Sequence, residues 1–166
     1  DKIGVITGAT SGLGRATALQ LARKGATVIA VARSIDKANK LIGEIKRNGG
    51  KAQSVIADLS SMKETKGAAC DIAKAVKRLD ILINNAGAHF PIYKETSEGF
   101  ECTLALNYLS PFLLTHHLRP LMEQTASEHG EARIINISSI MHKSPINWDD
   151  PNYRHTTYSS TSAYYQ

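Results

Sequence analysis

Short apolar runs alternate along this chain with segments whose apolar residues recur every three or four positions. Ile3–Ile6 is the first run, and the pattern after it, with Ala16, Leu19, Leu21 and Ala22 on one stripe, predicts a helix from about Gly12 to Lys24, stopped by Gly25. Thr27–Ala32 is a second buried strand. Asp36–Arg47 predicts a helix with Ala38, Leu41, Ile42 and Ile45 on one face, closed by Asn48-Gly49-Gly50. Ala52–Ala57 predicts a third strand, and Ser60-Ser61 caps a helix running to about Arg78. Ile81–Ile83 and Arg133–Ile137 predict a fourth and a fifth strand, separated by a long helix from about Glu98 to Gln124. From Met141 to Ser162 periodicity is lost and Pro145, Asn147 and Pro151 interrupt the chain, which predicts a long loop.

Continuously apolar strands alternating with helices imply an α/β fold with a parallel sheet covered on both faces. Right-handed crossovers then give a doubly wound, Rossmann-like sheet in one domain over residues 1–166. With 166 residues the chain is long enough to bury a substantial core. Its 42% hydrophobic and 21% charged residues are ordinary for a globular protein. The net charge of +5 is spread along the helices with no basic run, which argues against nucleic acid as a partner. Cys70 and Cys102 have no metal-ligand spacing, so no metal site is expected, and they suit a reducing, intracellular compartment, cytoplasmic or on an organelle membrane. No apolar run is long enough to span a membrane. Asp1 stands one residue before the first strand with no initiator Met, and Gln166 follows an aromatic pair, so both ends look cut. Membrane association is therefore expected only through segments outside the chain.

The chemistry concentrates where strands end. Thr7-Gly8-Ala9-Thr10-Ser11-Gly12-Leu13-Gly14 joins the first strand to the first helix. Glycines let such a turn approach a ligand closely, and the helix N-terminus that follows offers free N–H groups and positive potential to a diphosphate. In a doubly wound sheet ligands lie beyond the carboxyl ends of the strands. Arg33 follows the second strand, Asp58-Leu59 the third, Asn84-Asn85-Ala86-Gly87 the fourth and Ser138-Ser139 the fifth. Each alone could be an ordinary turn residue, but five such groups converge on one edge.

In this order and at these intervals, the Thr-Gly-x3-Gly-x-Gly turn, Asp58-Leu59, Asn84–Gly87, Asn107 and Ile135-Asn136-Ile137-Ser138-Ser139 make the chain resemble the short-chain dehydrogenase/reductases over its whole length. Leu106-Asn107-Tyr108-Leu109, continuing to Phe112-Leu113-Leu114-Thr115, and the long gap between serine and tyrosine resemble the retinol-dehydrogenase-like branch. The resemblance implies a catalytic set of Asn107, Ser139 and Tyr164, with the family's lysine falling at position 168, past the end of the chain. Tyr158 has Ser162 where the lysine is required and fails the motif, and Tyr165 fits it less well. It further implies that Gly8, Thr10, Ser11, Gly12, Leu13, Gly14, Asp58, Leu59, Asn85, Ala86 and Gly87 bind a nicotinamide cofactor. It also implies that C-terminal strands lie beyond the chain, and that pairing of two copies through the long helix is an option.

The expected reaction interconverts an alcohol and a carbonyl compound, the substrate being hydrophobic and retinol-like or steroid-like. Hydride transfer at carbon needs proton transfer at oxygen, and a phenol ionising near pH 10 needs a cationic neighbour to act as base at neutral pH. Residues 1–166 alone are therefore expected to turn over little and to associate through uncovered apolar surface. A nucleotide-binding module without turnover is the rival reading. For the cofactor, the second strand ends in Ala32-Arg33, where NAD-dependent enzymes place a carboxylate. A guanidinium grips a 2′-phosphate, so NADP(H) is favoured over NAD(H). Finally, Pro111 lacks the N–H that would bond the Asn107 carbonyl, and its ring crowds that carbonyl, so the long helix should be distorted there.

Overall fold

The computed structural model describes residues 2–165. Five parallel strands, β1 (Ile3–Thr7), β2 (Thr27–Ala32), β3 (Lys51–Ile56), β4 (Ile81–Asn84) and β5 (Arg133–Asn136), form one sheet in the order β3-β2-β1-β4-β5. The chain winds outward from β1 in one direction through β2 and β3, then returns to place β4 on the other side of β1. The switch point thus lies between β1 and β4, where this topology leaves a crevice at the carboxyl edge.

Alternation along the strands feeds two cores. Val5, Ile29, Val31 and Leu82 face helices α3 (Met62–Ala75) and α5 (Ser110–His129), packing on Ala68, Ile72, Leu114, Leu118 and Met122. Ile6, Val28, Ala30 and Ile83 face the opposite way, toward α1 (Gly12–Arg23) and α2 (Ile35–Arg47), and meet Ala18, Ala22, Leu41 and Ile45. Helices therefore cover both faces, as the continuous apolar strands require. At the amino edge, the Asp80 carboxylate accepts the Ile3 N–H at 2.7 Å and pairs with Arg78, locking β4 beside β1. Burial works to raise the Asp80 carboxyl, but Arg78 and the Ile3 N–H outweigh it and hold it below its usual range.

Two expectations need correction. Helix α3 ends at Ala75 rather than near Arg78, and the long helical segment begins at Cys102 rather than Glu98. Residues 96–99 form a turn closed by the Gly99 N–H on the Thr96 carbonyl at 3.0 Å, and Glu98 is used elsewhere: its carboxylate accepts the N–H groups of Met62 and Lys63 at 2.8 Å each and caps α3 from outside. Glu101 is the cap of the short helix α4 (Cys102–Leu104), accepting the Leu104 N–H at 2.8 Å. The distortion expected from Pro111 takes the form of a π-helical turn over Ala105–Leu109, in which the Ser110 N–H bonds the Ala105 carbonyl five residues back. The proline then sits in the first turn of α5, where its missing N–H does least harm.

β5 is an edge strand, and its apolar residues are open: Ile134 and Ile135 are each 42% exposed. The last helix, α6 (Ser160–Tyr165), follows the long loop. Among the described residues no helix is long and apolar enough to cross a membrane, and no cluster of His, Cys, Asp and Glu could hold a metal ion.

Candidate active site

A cleft of about 730 Å³ opens at the carboxyl edge of the sheet over the switch point. Its floor is the turn after β1. Gly8 and Gly12 have left-handed backbones, with φ of +65° and +50°. A Cβ on Gly14 would lie 2.4 Å from the Gly8 carbonyl oxygen and 2.5 Å from Asn85 Nδ2, so the first turn of α1 packs directly on the loop. By contrast, a Cβ on Gly12 would meet nothing within 4 Å, because that residue faces open space in the cleft. Ser11 is the N-cap of α1 yet makes no side-chain cap bond, and no acidic residue sits in the first turn. The starts of α2 and α3 are different, since Ser34 accepts the Lys37 N–H and Ser61 the Glu64 N–H. The α1 N-terminus thus presents orphan donors to the cleft beside Thr10, Ser11 and Leu13, an arrangement that fits an anionic diphosphate.

The loop after β4 forms the next wall, and Thr7 holds it in place. The Thr7 hydroxyl oxygen accepts the N–H groups of Asn85 and Ala86 at 2.9 Å each, while Asn85 Nδ2 donates to the Thr7 carbonyl at 2.9 Å. Asn85, Ala86 and Gly87 line the cleft. Asn84 does not: it turns away and donates to Thr115 Oγ1 at 3.0 Å and to Asn136 Oδ1 at 2.8 Å. Asn107 clamps the end of this loop with both halves of its amide, Oδ1 accepting the Ala88 N–H and Nδ2 donating to the Ala88 carbonyl, each at 3.0 Å. The π-helical turn carries Asn107, and such insertions often mark functional positions.

Arg33, Asp58 and Leu59 line the opposite part of the cleft at the ends of β2 and β3. Burial tends to raise the Asp58 carboxyl, but the Ser60 hydroxyl and N–H, at 2.7 and 2.9 Å, and the charges of Arg33 and Lys94 hold it low. It is an anion at neutral pH, set to accept hydrogen bonds, while Arg33 offers a cation beside it.

Ser138, Ser139 and Tyr164 close the remaining side. Ser139 Oγ accepts the Met141 N–H at 3.1 Å, which leaves its own O–H available to donate. The turn after Ser139 is tied to α6, because the N–H groups of Lys143 and Ser144 both reach the Tyr165 carbonyl, at 3.2 and 3.3 Å. That link brings Ser139 and Tyr164 to one wall. Tyr164 stands edge-on to His89 with centroids 5.6 Å apart. The other two tyrosines weighed from the sequence face elsewhere. Tyr165 lies under the Lys143 ammonium, and the Tyr158 hydroxyl donates to the Phe90 carbonyl at 2.8 Å.

Sequence reasoning did not single out Thr7 as a fastener, nor Glu101, Asp150 and Tyr153. Glu101 is buried and accepts the Thr103 hydroxyl at 2.9 Å besides capping α4. A Ser/Thr just before a Gly turn is a weak signal for Thr7, and nothing in the pattern marks the rest.

The profile of the family described as short chain dehydrogenase matches residues 2–161. The chain belongs to the short-chain dehydrogenase/reductase family. It is similar to retinol dehydrogenase 12 of Bos taurus, 40% identical over 143 residues, which cover 85% of the chain and 44% of that protein. With retinol dehydrogenase 13 of Homo sapiens it shares 36% identity over 167 residues, 98% of the chain and 49% of the relative. The chain thus spans under half the length of these two relatives. Among solved structures, a metagenomic short-chain oxidoreductase in complex with NADP superposes with a TM-score of 0.77 at 30% identity, covering 99% of this chain and 69% of that one. Members of the family are oxidoreductases that use NAD(P)(H), so the glycine turn, Asp58 and the Asn85–Gly87 loop stand in a family known for that chemistry.

Proposed function

We propose that this chain serves an NADP(H)-dependent oxidoreductase that interconverts a hydrophobic alcohol and its carbonyl form. One observation carries the reading: the uncapped glycine cradle, Arg33, and the set Asn107, Ser139 and Tyr164 line one cleft at the switch point. Bound there, the nicotinamide would supply or accept the hydride. The cradle and the α1 N-terminus would hold the diphosphate, Asp58 would accept bonds at the adenine end, and Arg33 would pair with a 2′-phosphate. Ser139 would donate its O–H to the substrate oxygen and steady the charge that develops there. The Tyr164 hydroxyl would give that oxygen a proton in reduction and take it back in oxidation. Asn107, through its two bonds to Ala88, would keep the wall facing the reacting atoms in place.

The Arg33 assignment is tested by Arg33→Asp with calorimetric titration of both cofactors. Losing a charge-assisted contact and adding a repulsive carboxylate should weaken NADPH by roughly tenfold to a hundredfold more than NADH. Equal weakening of both would remove Arg33 from cofactor selection. Retained NADPH-dependent carbonyl reduction in a full-length Tyr164→Phe variant would refute the assignment of the acid.

A further inference from the structure

The loop between Ser139 and α6 has almost no regular structure, yet one buried carboxylate organises its centre. Asp150 Oδ1 accepts the Arg154 N–H at 2.7 Å, and Oδ2 accepts the N–H groups of His155 and Thr156 at 3.0 and 2.9 Å and the Thr156 hydroxyl at 2.8 Å. The Tyr153 N–H adds a bond to the Asp150 carbonyl at 3.1 Å. Inside this closed turn Tyr153 takes a φ of +53°, and among the described residues it is the one non-glycine with a positive φ. A bulky side chain is disfavoured in that region, and such outliers persist only where the surroundings over-determine them.

The surroundings here do so. Asn152 Oδ1 accepts the Glu101 N–H at 2.9 Å, and Arg154 Nη2 donates to the Gly99 carbonyl at 2.7 Å. The Tyr153 ring meets Tyr158 edge-on at 5.4 Å, and Tyr158 is itself anchored to Phe90. Glycine or asparagine at position 153 would make the same turn with less strain. The chain instead keeps a tyrosine there, and it lines the cleft, as do Ile146 and Pro151.

We propose that Tyr153 is a specificity-determining residue, an aromatic wall for the hydrocarbon part of the substrate, and that Asp150 is the positioning residue that fixes it. The proposal rests on the oxidoreductase reading above. The groups suited to phosphate and ribose come from the loops after β1, β2 and β3. This wall comes from the segment that joins Ser139 to Tyr164, so it is tethered to the reacting groups instead. The aliphatic and aromatic character of Ile146, Pro151 and Tyr153 selects an alcohol or carbonyl compound bearing an extended apolar substituent.

The test uses the full-length enzyme, NADPH and straight-chain aldehydes from butanal to decanal. In the wild type KM should fall about fourfold for each methylene that packs on the wall. Tyr153→Ala should flatten that trend, raising KM for decanal by about tenfold more than for butanal, while the Kd for NADPH shifts by less than about twofold. Tyr153→Phe should restore the trend, because the ring makes the wall. Asp150→Asn keeps the shape but sets an NH2 against N–H donors, and it should reproduce the flattening. It should also shift the emission of Trp148, the one tryptophan among residues 1–166, which lies in this loop edge-on to Tyr108 at 6.3 Å. An unchanged chain-length trend in Tyr153→Ala, or an equal loss for NADPH, would overturn the proposal. Fluorescence titration of Trp148 with 1-decanol needs no turnover. A wild type that binds decanol through Tyr153 but never reduces an aldehyde would overturn the oxidoreductase reading and leave the wall standing.

Discussion

Removing the Thr7 hydroxyl should loosen the cleft from within. Thr7 is 2% exposed, and its oxygen is the acceptor for two consecutive backbone donors, Asn85 and Ala86. Thr7→Val keeps the shape and the β-branch, so strand propensity and packing barely change. What changes is that two part-buried N–H groups lose their acceptor. An unsatisfied buried donor costs about 1–3 kcal/mol, and the extra methyl returns part of it, so a net loss of about 3 kcal/mol is expected. For a chain of this size that is a fall of about 6–12 °C in Tm. Thr7→Ser retains the oxygen and should lose far less. Thermal or urea unfolding of both variants measures the difference, and hydrogen exchange locates it, since the Asn85 and Ala86 amides should lose protection before those of β4. NADPH affinity should fall with it, because the freed loop is a wall of the cleft. A Thr7→Val protein within about 0.5 kcal/mol of wild type, with both amides still protected, would refute the reasoning.

Gly14→Ala and Gly12→Ala should separate packing from conformation. The first forces a Cβ against Gly8 backbone and should cost about 1–3 kcal/mol with loss of NADPH binding. The second meets open space and should cost only the left-handed penalty of about 1–2 kcal/mol in unfolding experiments, so a larger loss at Gly12 than at Gly14 would contradict this account. Asp150 should make its loop acid-sensitive. Burial works to raise its carboxyl, but the N–H groups of His155, Arg154 and Thr156 and the Thr156 hydroxyl bring it down to about 2. Because the folded value lies below the unfolded one, the contribution is present above about pH 4 and is lost as pH falls through about 2. Trp148 emission should therefore shift over that window in the wild type, and a shift of the same size in Asp150→Asn would assign it elsewhere.

The sheet was legible because its rule is simple. Continuous apolar strands between amphipathic helices permit few topologies, and the doubly wound one sends every strand-end residue to the same edge. That is why Gly8, Arg33, Asp58, Asn85 and Ser139, scattered over more than a hundred positions of sequence, reach one cleft. The errors fall where a side chain from elsewhere sets the boundary. Glu98 reads as the start of the long helix, but its carboxylate serves α3 instead. Asn84 reads as part of the cleft wall, yet it is the last residue of β4, and the pleat sends its amide toward α5.

Pro111 marks the boundary between what pattern can state and what packing decides. The missing N–H and the crowded Asn107 carbonyl follow from the residue type, so a distorted helix could be expected from sequence alone. Whether the helix kinks, breaks or inserts a residue depends on what its flanks must satisfy. Glu101 fixes the start of α4, Ala88 holds the Asn107 amide at both ends, and Leu114 and Leu118 are buried against α3 and the sheet. With three anchors set, a wider π turn accommodates the proline while keeping α5 in its packing register. The loop around Asp150 lies beyond pattern altogether, because one carboxylate replaces the periodic contacts that make strands and helices readable. There the apolar positions carry no phase, and only the hydrogen bonds say which side of the chain faces the cleft.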